Sequence, residues 1–406
     1  MSTRPAPTSP GPSKARSFVF LCVVTAALHA AYSAVRVLVS YRALDLGGDA
    51  VAIGVITALF ALLPLFVALQ VGRAVDRDRA GTFLRAGLLL TAFAMGVITV
   101  SGNLVWLGVG NVLLGFGQIL AMVAAQGFVP VLAEPDRLDQ RFAAWTLSVS
   151  VGQTIGLPIA GLVSAWGGGE RDEATTRALV ALTVLLLLSA PLALLLRNPS
   201  TAARTSEEGP QPLGAMLVIP GMGAAVLSSL AVLTSMDLVA AYLPVLGEEH
   251  GFTVLMVTIL IAVRTGASVL SRAFLPLLLR HVTRARLLVS ATLCSGVPMA
   301  LLPFTPSPVV MGLLLAVAGF FWGIGQPLTM SWVVGLVTHR NRASALGLRL
   351  TGNRIGQFVV PLGASAAAGA AGVGSVFLAN GALLLGSALV TWSTLRDRLG
   401  TSEDAA

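Results

Sequence analysis

GFGQILAM, at residues 115 to 122, recurs half a chain later as GIGQPLTM, at residues 323 to 330. Five of the eight letters are identical, and Gln118 and Gln326 stand in the same register. A shared bias toward Leu, Ala and Gly produces some matches, but it does not explain a polar residue that recurs at one position of two apolar runs. The pair therefore predicts that the chain is built from two related halves.

Two further matches lie at nearly the same spacing. GRAV, which begins at residue 72, aligns with SRAF, which begins at residue 271. Two pairs of glycines also match, Gly152 with Gly352 and Gly156 with Gly356. Small residues let neighbouring helices approach closely, so we expect these glycines at helix contacts.

The composition places the chain in a membrane. Its 406 residues are 55% hydrophobic and only 11% charged, whereas a soluble fold is about a quarter charged. The apolar runs are near or above the roughly 20 residues that a helix needs to cross the hydrocarbon core, and they lack the alternation of a spanning β-barrel. The two cysteines, Cys22 and Cys294, lie inside apolar runs. We therefore expect no disulfide framework, no metal site and no cofactor.

The apolar runs predict an all-α membrane protein with twelve transmembrane helices. The expected bounds of these helices are 18–44, 51–72, 82–101, 104–132, 142–166, 177–196, 214–246, 253–279, 285–303, 308–336, 343–369 and 373–396. Because the number of spans is even, both termini are expected on the same side of the membrane.

Arginines are distributed unevenly between the two sides. The tails and loops on the side of the termini are expected to hold most of them, Arg73 and Arg272 included, and the opposite loops keep Arg42, Arg171 and Arg177. The positive-inside rule then places both termini in the cytoplasm, and we expect the membrane to be a bacterial inner membrane. Because the net charge of +8 lies in short loops rather than on a folded basic face, we expect no nucleic-acid partner.

The longest polar stretch in the middle of the chain separates the two halves. It reads RNPSTAARTSEEGPQPLG, from residue 197 to 214, which is typical of a linker. The expected organisation is a disordered cytoplasmic tail at 1–17, a six-helix bundle at 18–196, a cytoplasmic linker at 197–213, a second six-helix bundle at 214–396 and a cytoplasmic tail at 397–406.

Two six-helix halves in parallel repeat are the architecture of one large group of transporters. From about residue 18 to 396 the chain resembles the major facilitator superfamily. Members carry Gly-x-x-x-Asp-Arg-x-Gly-Arg-Arg between helices two and three, and this chain has Gly72, Asp76 and Arg77 in place, with Arg79 where the second Gly is usual. The resemblance implies two pseudo-symmetric bundles with a substrate path between them.

The resemblance also implies that Asp76 engages the cytoplasmic end of helix eleven and stabilises one state of an alternating-access cycle. A carboxylate near a helix N-terminus, flanked by arginines, can form a charge-assisted latch, for which Arg349 is the expected partner. The alternative is that the loop acts only as a positive topology signal, although such a signal does not require Gly72 or Asp76.

Helix five bears on the direction of transport. Efflux members often have Gly-x-x-x-Gly-Pro-x-x-Gly-Gly there, and this chain reads GQTIGLPIAGL from residue 152, with Pro158 one place late. The resemblance favours export over uptake, while close helix packing through the glycines is the alternative. Helix four has Asn111 where many members place an arginine four residues before Gly115, so proton coupling is not expected to use that position.

Charged residues inside the predicted spans are candidates for function, because a charge at the centre of a membrane costs about 2.5–3.5 kcal/mol on insertion scales. They are Arg36, Asp237, Arg264, Arg349 and Arg354. Arg36 and Asp237 occupy matching positions of the two halves when Tyr41 is aligned with Tyr242. We therefore expect an ion pair between the halves that gates the outward opening. The alternative is that each residue finds a polar partner within its own half.

Arg264 and Arg354 should lie near the middle of the membrane, about half-way along their helices. Four arginines against one aspartate leave positive charge that an anionic substrate would balance, since guanidinium groups bind carboxylate and phosphate oxygens. The alternative is that these arginines bond to backbone carbonyls in helix packing. The helices that line the cavity in the family add four substrate contacts, namely Gln118, Gln326, His29 and Tyr32. For His29, a bonded core residue is the alternative to a proton site.

These features predict a secondary active transporter that moves a small organic molecule by alternating access with proton coupling. The excess of arginines in the spans favours an anionic molecule. The expected partners of this monomer are its substrate, protons and the lipid bilayer. No Gly-x-x-x-x-Gly-Lys-Ser/Thr motif occurs, so an ion gradient rather than ATP is expected to supply the work. One alternative is a membrane enzyme acting on a lipid, which would need clustered carboxylates, a metal site or an activated nucleophile. Another is a sensor that retains the transporter fold without flux.

Overall fold

The computed structural model describes residues 12–74, 79–133, 137–196, 216–338 and 341–403. Over these ranges the chain forms twelve long α-helices and a short 3-10 turn at Leu302–Phe304. The helices are α1 (Pro12–Asp45), α2 (Ala50–Ala74), α3 (Ala80–Val100), α4 (Leu104–Leu132), α5 (Leu138–Ala165), α6 (Arg171–Leu194), α7 (Met222–Glu249), α8 (Val254–His281), α9 (Arg284–Leu301), α10 (Pro308–Gly335), α11 (Arg342–Ala371) and α12 (Val373–Glu403). The predicted all-helical fold is confirmed.

Eleven of the twelve helices are long and apolar enough to cross a membrane, and α11 is the exception among the described residues. Polar side chains interrupt its apolar sequence, and several of them, such as Arg349, Asn353 and Gln357, are buried inside the protein. A spanning helix tolerates polar residues when they face other helices rather than lipid. The composition of α11 therefore reflects its interior position between α2 and α7.

The termini contain more helix than the sequence suggested. The first helix begins at Pro12, so part of the tail expected at 1–17 is helical, and residues 1–11 lie outside the described residues. The last helix continues to Glu403, beyond the expected end at residue 396. The linker expected at 197–213 also lies outside the described residues.

Two internal helices begin at other residues than expected, for local reasons. The sixth begins at Arg171 rather than at residue 177, because Asp172 and Glu173 in its first turn favour a helix N-terminus. The seventh begins only at Met222, because Gly221 precedes it with a φ of 84°, a left-handed conformation that suits glycine and ends the preceding turn.

The same helix pairs pack together in each half of the molecule. In the first half, α1–α6, the contacts join α1 to α4, α5 and α6, α4 to α2 and α3, and α6 to α3 and α5. In the second half, α7–α12, they join α7 to α10, α11 and α12, α10 to α8 and α9, and α12 to α9 and α11. The internal repeat that the sequence predicted is therefore a repeat of packing.

The repeat extends to individual residues. Helix α5 crosses α1 at two glycines, and α11 crosses α7 at the two matching glycines. The four crossings are Gly152 on Ala26, Gly156 on Ala30, Gly352 on Val226 and Gly356 on Leu230. In the first half a Cβ at either glycine would overlap a backbone carbonyl oxygen, whereas in the second half it would meet side-chain carbons. Small residues at these positions therefore set the distance between the helix axes.

The contacts of α4 with α2 and of α10 with α8 match in the same way. Gly115 lies against the Phe60 carbonyl, and Gly323 lies against the Ser268 carbonyl. One turn away, the Asn111 side chain donates to the Ile56 carbonyl, and Gly319 lies against the Arg264 carbonyl. By packing, therefore, Ile56 is the counterpart of Arg264, and Phe60 is the counterpart of Ser268.

This register corrects one of the sequence matches. The alignment of GRAV with SRAF made Arg73 the counterpart of Arg272. Arg73 stands at the end of α2, whereas Arg272 lies well inside α8. The alignment is wrong at this point, because short runs of Arg, Ala and small residues recur by chance in an Ala-rich chain. Arg272 therefore belongs to the interior of a span and not to a loop.

The two halves meet at the end of the molecule where α1, α5, α7 and α11 finish. Helix α2 contacts α11, α5 contacts α8, and α1 contacts α7. A Cβ on Gly54 would overlap the Tyr242 hydroxyl, and a Cβ on Gly161 would overlap the Thr258 hydroxyl. We call this end, which carries Gly54 and Gly161, the sealed end, because the helices of the two halves approach closely there.

Candidate functional site

A polar cavity of about 120 Å³ lies between the two halves. Helices α1 and α5 form its wall in the first half, and α7 and α8 form its wall in the second half. The polar residues that line it are Tyr32, Ser33, Arg36, Gln153, Asp237, Arg264, Thr265, Ser268 and Arg272. The cavity therefore brings together four of the residues that the sequence nominated, and it adds others.

An ion pair crosses from one half to the other at this cavity. Arg36 Nη1 on α1 lies 2.9 Å from Asp237 Oδ1 on α7, and both side chains are almost fully buried. The same nitrogen donates to the Tyr32 hydroxyl at 3.2 Å, and the guanidinium lies 4.7 Å from the centre of the Phe60 ring. Away from water, such a pair is held strongly, because removing either partner leaves the other charge buried.

The second oxygen of Asp237 connects this pair to α11. Gln357 Nε2 donates to Asp237 Oδ2 at 2.7 Å, and Arg354 Nη1 donates to Gln357 Oε1 at 2.8 Å. One carboxylate thus holds Arg36 directly and Arg354 through an amide. The structure consequently places Arg354 at the edge of this network, and its guanidinium is already bonded.

Arg264 has few hydrogen-bond partners for a buried guanidinium. It is 6% exposed, and its Nη2 donates to the Thr265 hydroxyl at 3.1 Å. Its Nε and Nη1 are buried without a hydrogen-bond partner, and its guanidinium lies 5.7 Å from the Trp322 ring. Buried donors are normally paired, so these two nitrogens mark a position where a hydrogen-bond acceptor is missing.

Arg272 adds a third guanidinium to the cavity. Its Nη1 donates to the Ser150 hydroxyl on α5 at 3.3 Å, a contact between the two halves. Among the described residues that line the cavity, Arg36, Arg264 and Arg272 face one carboxylate, Asp237. The cavity is therefore electropositive.

The other nominated residues that the structure describes do not line the cavity. His29 is buried, with Nε2 3.3 Å from Met122 Sδ and Nδ1 3.4 Å from Nε2 of Gln153, which does line the cavity. Gln118 is buried on α4. Neither residue forms part of the Arg36–Asp237 network.

Gln326 and Arg349 bond to each other within the second half. Arg349 Nη2 donates to Gln326 Oε1 at 2.6 Å, and Gln326 Nε2 donates to the Ser229 carbonyl at 3.4 Å. The amide of Gln326 is therefore used within the bundle. Asp76 and Arg77, the other residues of the expected latch, lie outside the described residues, and Gly72 belongs to the last part of α2.

A second ionic cluster lies at the sealed end. Arg171, at the start of α6, pairs with Asp45 of α1 at 2.5 Å and with Glu248 of α7. It therefore connects the first half to the second. Arg42 pairs with Asp172 entirely within the first half. The sequence placed Arg42 and Arg171 in outer loops as topology residues and gave no sign of these partners.

Sequence reasoning missed three residues of the cavity network. Gln153 and Gln357 lie on helices five and eleven, whereas the uncharged candidates come only from the helices that line the cavity in the family, although a buried amide in any apolar helix needs partners. Arg272 is missed because it is assigned to the loop arginines, although it lies inside the expected span 253–279. A search for every hydrogen-bonding side chain inside the spans would have found all three.

Comparisons with known proteins agree with this architecture. The family model described as Major Facilitator Superfamily matches residues 21–340 and residues 226–405. None of the curated proteins matches the chain.

Several transporters are among the similar solved structures. A single-site mutant of the nucleoside transporter NupG has a TM-score of 0.80 at 14% identity, over 94% of this chain and 99% of that one. A bacterial homologue of the human lysosomal transporter Spinster, inward-facing and unoccupied, has a TM-score of 0.76 at 15% identity, over 96% and 98%. A D-xylose–proton symporter has a TM-score of 0.75 at 13% identity, over 93% and 97%. These neighbours share the fold of this chain, and the family model shows that the chain belongs to the major facilitator superfamily.

Proposed function

We propose that the protein is a secondary active transporter that moves a small organic molecule across the bacterial inner membrane by alternating access, coupled to protons. The observation that carries this proposal is the polar cavity between the two halves, crossed by the Arg36–Asp237 ion pair. In a fold of two parallel repeats, substrate binds between the repeats near the middle of the membrane, and the repeats rock about that site.

The Arg36–Asp237 pair is suited to gate this motion. It joins α1 to α7, so the two helices cannot separate at this level without breaking it. Asp237 is also the one carboxylate among the described residues that line the cavity. A proton on Asp237 would release Arg36 and leave it for a substrate, which links protonation to the movement of the halves. One structural neighbour is by name a proton symporter, which supports this coupling.

The proposed orientation has both termini in the cytoplasm and the sealed end facing outward. The state described here is then inward-facing, as in the Spinster homologue. Arg171 closes the outer side by pairing with Asp45 and Glu248. Export is the proposed direction, because of the partial likeness of α5 to efflux members. The transporter is proposed to work as a monomer.

Arg264 and Tyr32, which line the cavity, are the proposed direct substrate contacts, with His29, Gln118, Gln326 and Arg354 around them. The loop after α2 is the proposed inner latch, through Gly72, Asp76 and Arg77. Arg349, the expected partner of Asp76, donates a hydrogen bond to Gln326 in the state described here. We expect Asp76→Asn to impair transport more than it impairs expression, and an equal loss of both would remove the latch from the proposal.

Purified protein in liposomes tests the proposed function. We would measure accumulation of organic anions and cationic dyes with and without an imposed pH gradient, and identify the recovered solutes by mass spectrometry. Chemically unchanged solute that accumulates only with the gradient is the expected result. Flux that does not depend on the gradient would contradict proton coupling. If no solute of the panel accumulates, the result counts against transport. A chemically altered solute would favour the alternative of a membrane enzyme.

A further inference from the structure

We propose that Arg264 and Arg272 form the binding site for an oxyanion group, a carboxylate or a phosphate, of the transported molecule. The inference rests on the proposed transport function and names the class of substrate. The ligand would occupy the cavity between α5 and α8, with its charged group toward α8.

The spacing of the two arginines makes them one site. Arg264, Ser268 and Arg272 are four residues apart along α8, so they lie above one another on one face of the helix. All three line the cavity. Arg264 and Arg272 are about 12 Å apart along the helix axis at 1.5 Å per residue, and two long arginine side chains can reach across that distance to one oxyanion.

The arginines lack the partners that a purely structural role would require. Nε and Nη1 of Arg264 are buried and without a partner, and Arg272 has one long bond from Nη1 to the Ser150 hydroxyl. The described bonds of the nearby Asp237 carboxylate go to Arg36 and Gln357, and none goes to Arg264 or Arg272. A buried guanidinium without an acceptor is unfavourable, so the site is complete only when an anion supplies one.

The internal repeat shows that the fold does not need a charge here. Helix α4 packs on Ile56 of α2 in the way that α10 packs on Arg264 of α8. In both halves the contact uses the backbone carbonyl, which is independent of the side chain. An apolar residue satisfies the packing in the first half, so the guanidinium of Arg264 is available for another role.

The walls of the cavity fit the remainder of an organic anion. Leu157 on α5, Leu233 on α7 and Val269 on α8 supply apolar surface next to the arginines. Gln153 supplies an amide that can bond to a further polar group of the ligand. Such a combination of apolar walls and a few polar groups is typical of small-molecule sites.

Thermal unfolding of the purified protein with defined probes tests the site. The probes are acetate, benzoate, succinate, citrate and inorganic phosphate, with acetamide and benzamide as neutral counterparts. We expect at least one anion, and neither amide, to raise the Tm of the wild-type protein. In Arg264→Gln and in Arg272→Gln the apparent affinity for that anion should fall about tenfold or more, as expected for the loss of a charge-assisted hydrogen bond. Arg280→Gln, which removes an exposed arginine from the last turn of the same helix, should leave it unchanged.

The stability of the unliganded variants separates a ligand site from helix packing. Removal of an unpaired buried charge should leave the Tm of Arg264→Gln equal to or above that of the wild type, whereas a packing role predicts a lower Tm. The proposal is overturned if no anion shifts the wild-type Tm, if the shift survives in both variants, or if Arg264→Gln unfolds at a lower temperature than the wild type. Flux of a neutral or cationic solute that persists in both variants would sink this inference and leave the transport function intact. Anion binding to the wild type without flux of any solute would support the oxyanion site and count against the transport function.

Discussion

The two halves of the molecule share their packing and differ in their chemistry. Helix α4 packs against Ile56 and Phe60 of α2. Helix α10 packs against the matching residues of α8, which are Arg264 and Ser268. The contacts that the halves share are made by glycines and backbone atoms. The residues that give the cavity its charge lie at positions where the halves depart from each other.

The same contrast separates α5 from α11. The matching glycines make Thr154 the counterpart of Arg354 and Leu157 the counterpart of Gln357. Gln357 carries the bond from Arg354 to Asp237, and Leu157 is a plain apolar wall. A repeated backbone therefore supplies two matching halves, and unequal side chains supply the charged cavity between them.

The largest effect should come from the carboxylate that joins the halves. We expect Asp237→Asn to abolish transport and to lower the free energy of unfolding by about 3–5 kcal/mol, because it leaves Arg36 buried without a counter-charge. Proteoliposome flux and thermal unfolding measure the two effects.

The double variant Arg36→Gln/Asp237→Asn is the control for that prediction. It removes both charges, so it should regain most of the stability while transport stays lost. Wild-type flux in Asp237→Asn would show that the ion pair is no part of the transport cycle, and the contrast between the halves would then lose its functional meaning.

A smaller effect should distinguish the glycine crossings of the two halves. A Cβ at Gly156 would overlap the Ala30 backbone, whereas a Cβ at Gly356 would lie 3.1 Å from the flexible Leu230 side chain. We expect Gly156→Ala to lower the free energy of unfolding by about 1–3 kcal/mol, and Gly356→Ala to change it by less than about 1 kcal/mol. Thermal unfolding of both variants in the same detergent tests this difference, and equal losses would mean that the two crossings are equally tight.

The smallest effect is expected at the sealed end. Arg171→Gln breaks the partly exposed link to Glu248 of the other half as well as the pair with Asp45, and it should favour opening of this end. The measurement is maleimide labelling of Ser164→Cys, beside Arg171, in a background where Cys22 and Cys294 are replaced by serine. Faster labelling is expected.

Asp172→Asn provides the matched control at that end, since its pair with Arg42 lies within one half. It should leave the labelling rate unchanged. If both variants label equally fast, general loosening of the loops is the cause, and the Arg171 pair does not hold the halves together.

Hydropathy made most of the fold predictable. Twelve helices follow from apolar runs of spanning length, and the repeat follows from matched glycines and glutamines. Helix ends were misplaced where local chemistry decided them, as at Gly221, whose left-handed backbone delays the start of α7. The sequence alignment of α2 with its counterpart α8 is wrong, because short identical runs occur by chance in an Ala-rich sequence. The glycine contacts of α4 and α10 fix the correct alignment, because they require a close approach at one position.

The candidate site was less accessible to sequence reasoning. Arg36, Asp237 and Arg264 were recognisable, because a charge in an apolar span is rare. The bonds of Arg354 to Gln357 and of Arg349 to Gln326 were not, because each joins a long side chain to an amide whose direction depends on helix rotation. Arg272 was counted with the loops, and the structure places it in the cavity wall.

The sequence by itself determined that this chain lies in a membrane, that it has two related six-helix halves and that its interior carries an excess of positive charge. These properties follow from the hydropathy of the apolar runs, the internal repeat and the charges within the runs, all of which can be read along the chain without knowing how the helices pack. The tertiary structure alone decided that Asp237 bonds to Arg36 and Gln357, so that Arg264 and Arg272 have no carboxylate partner within the part of the chain that the structure describes. The physical reason is that partnership between buried charges depends on distances of a few ångströms between different helices, which only their packing fixes.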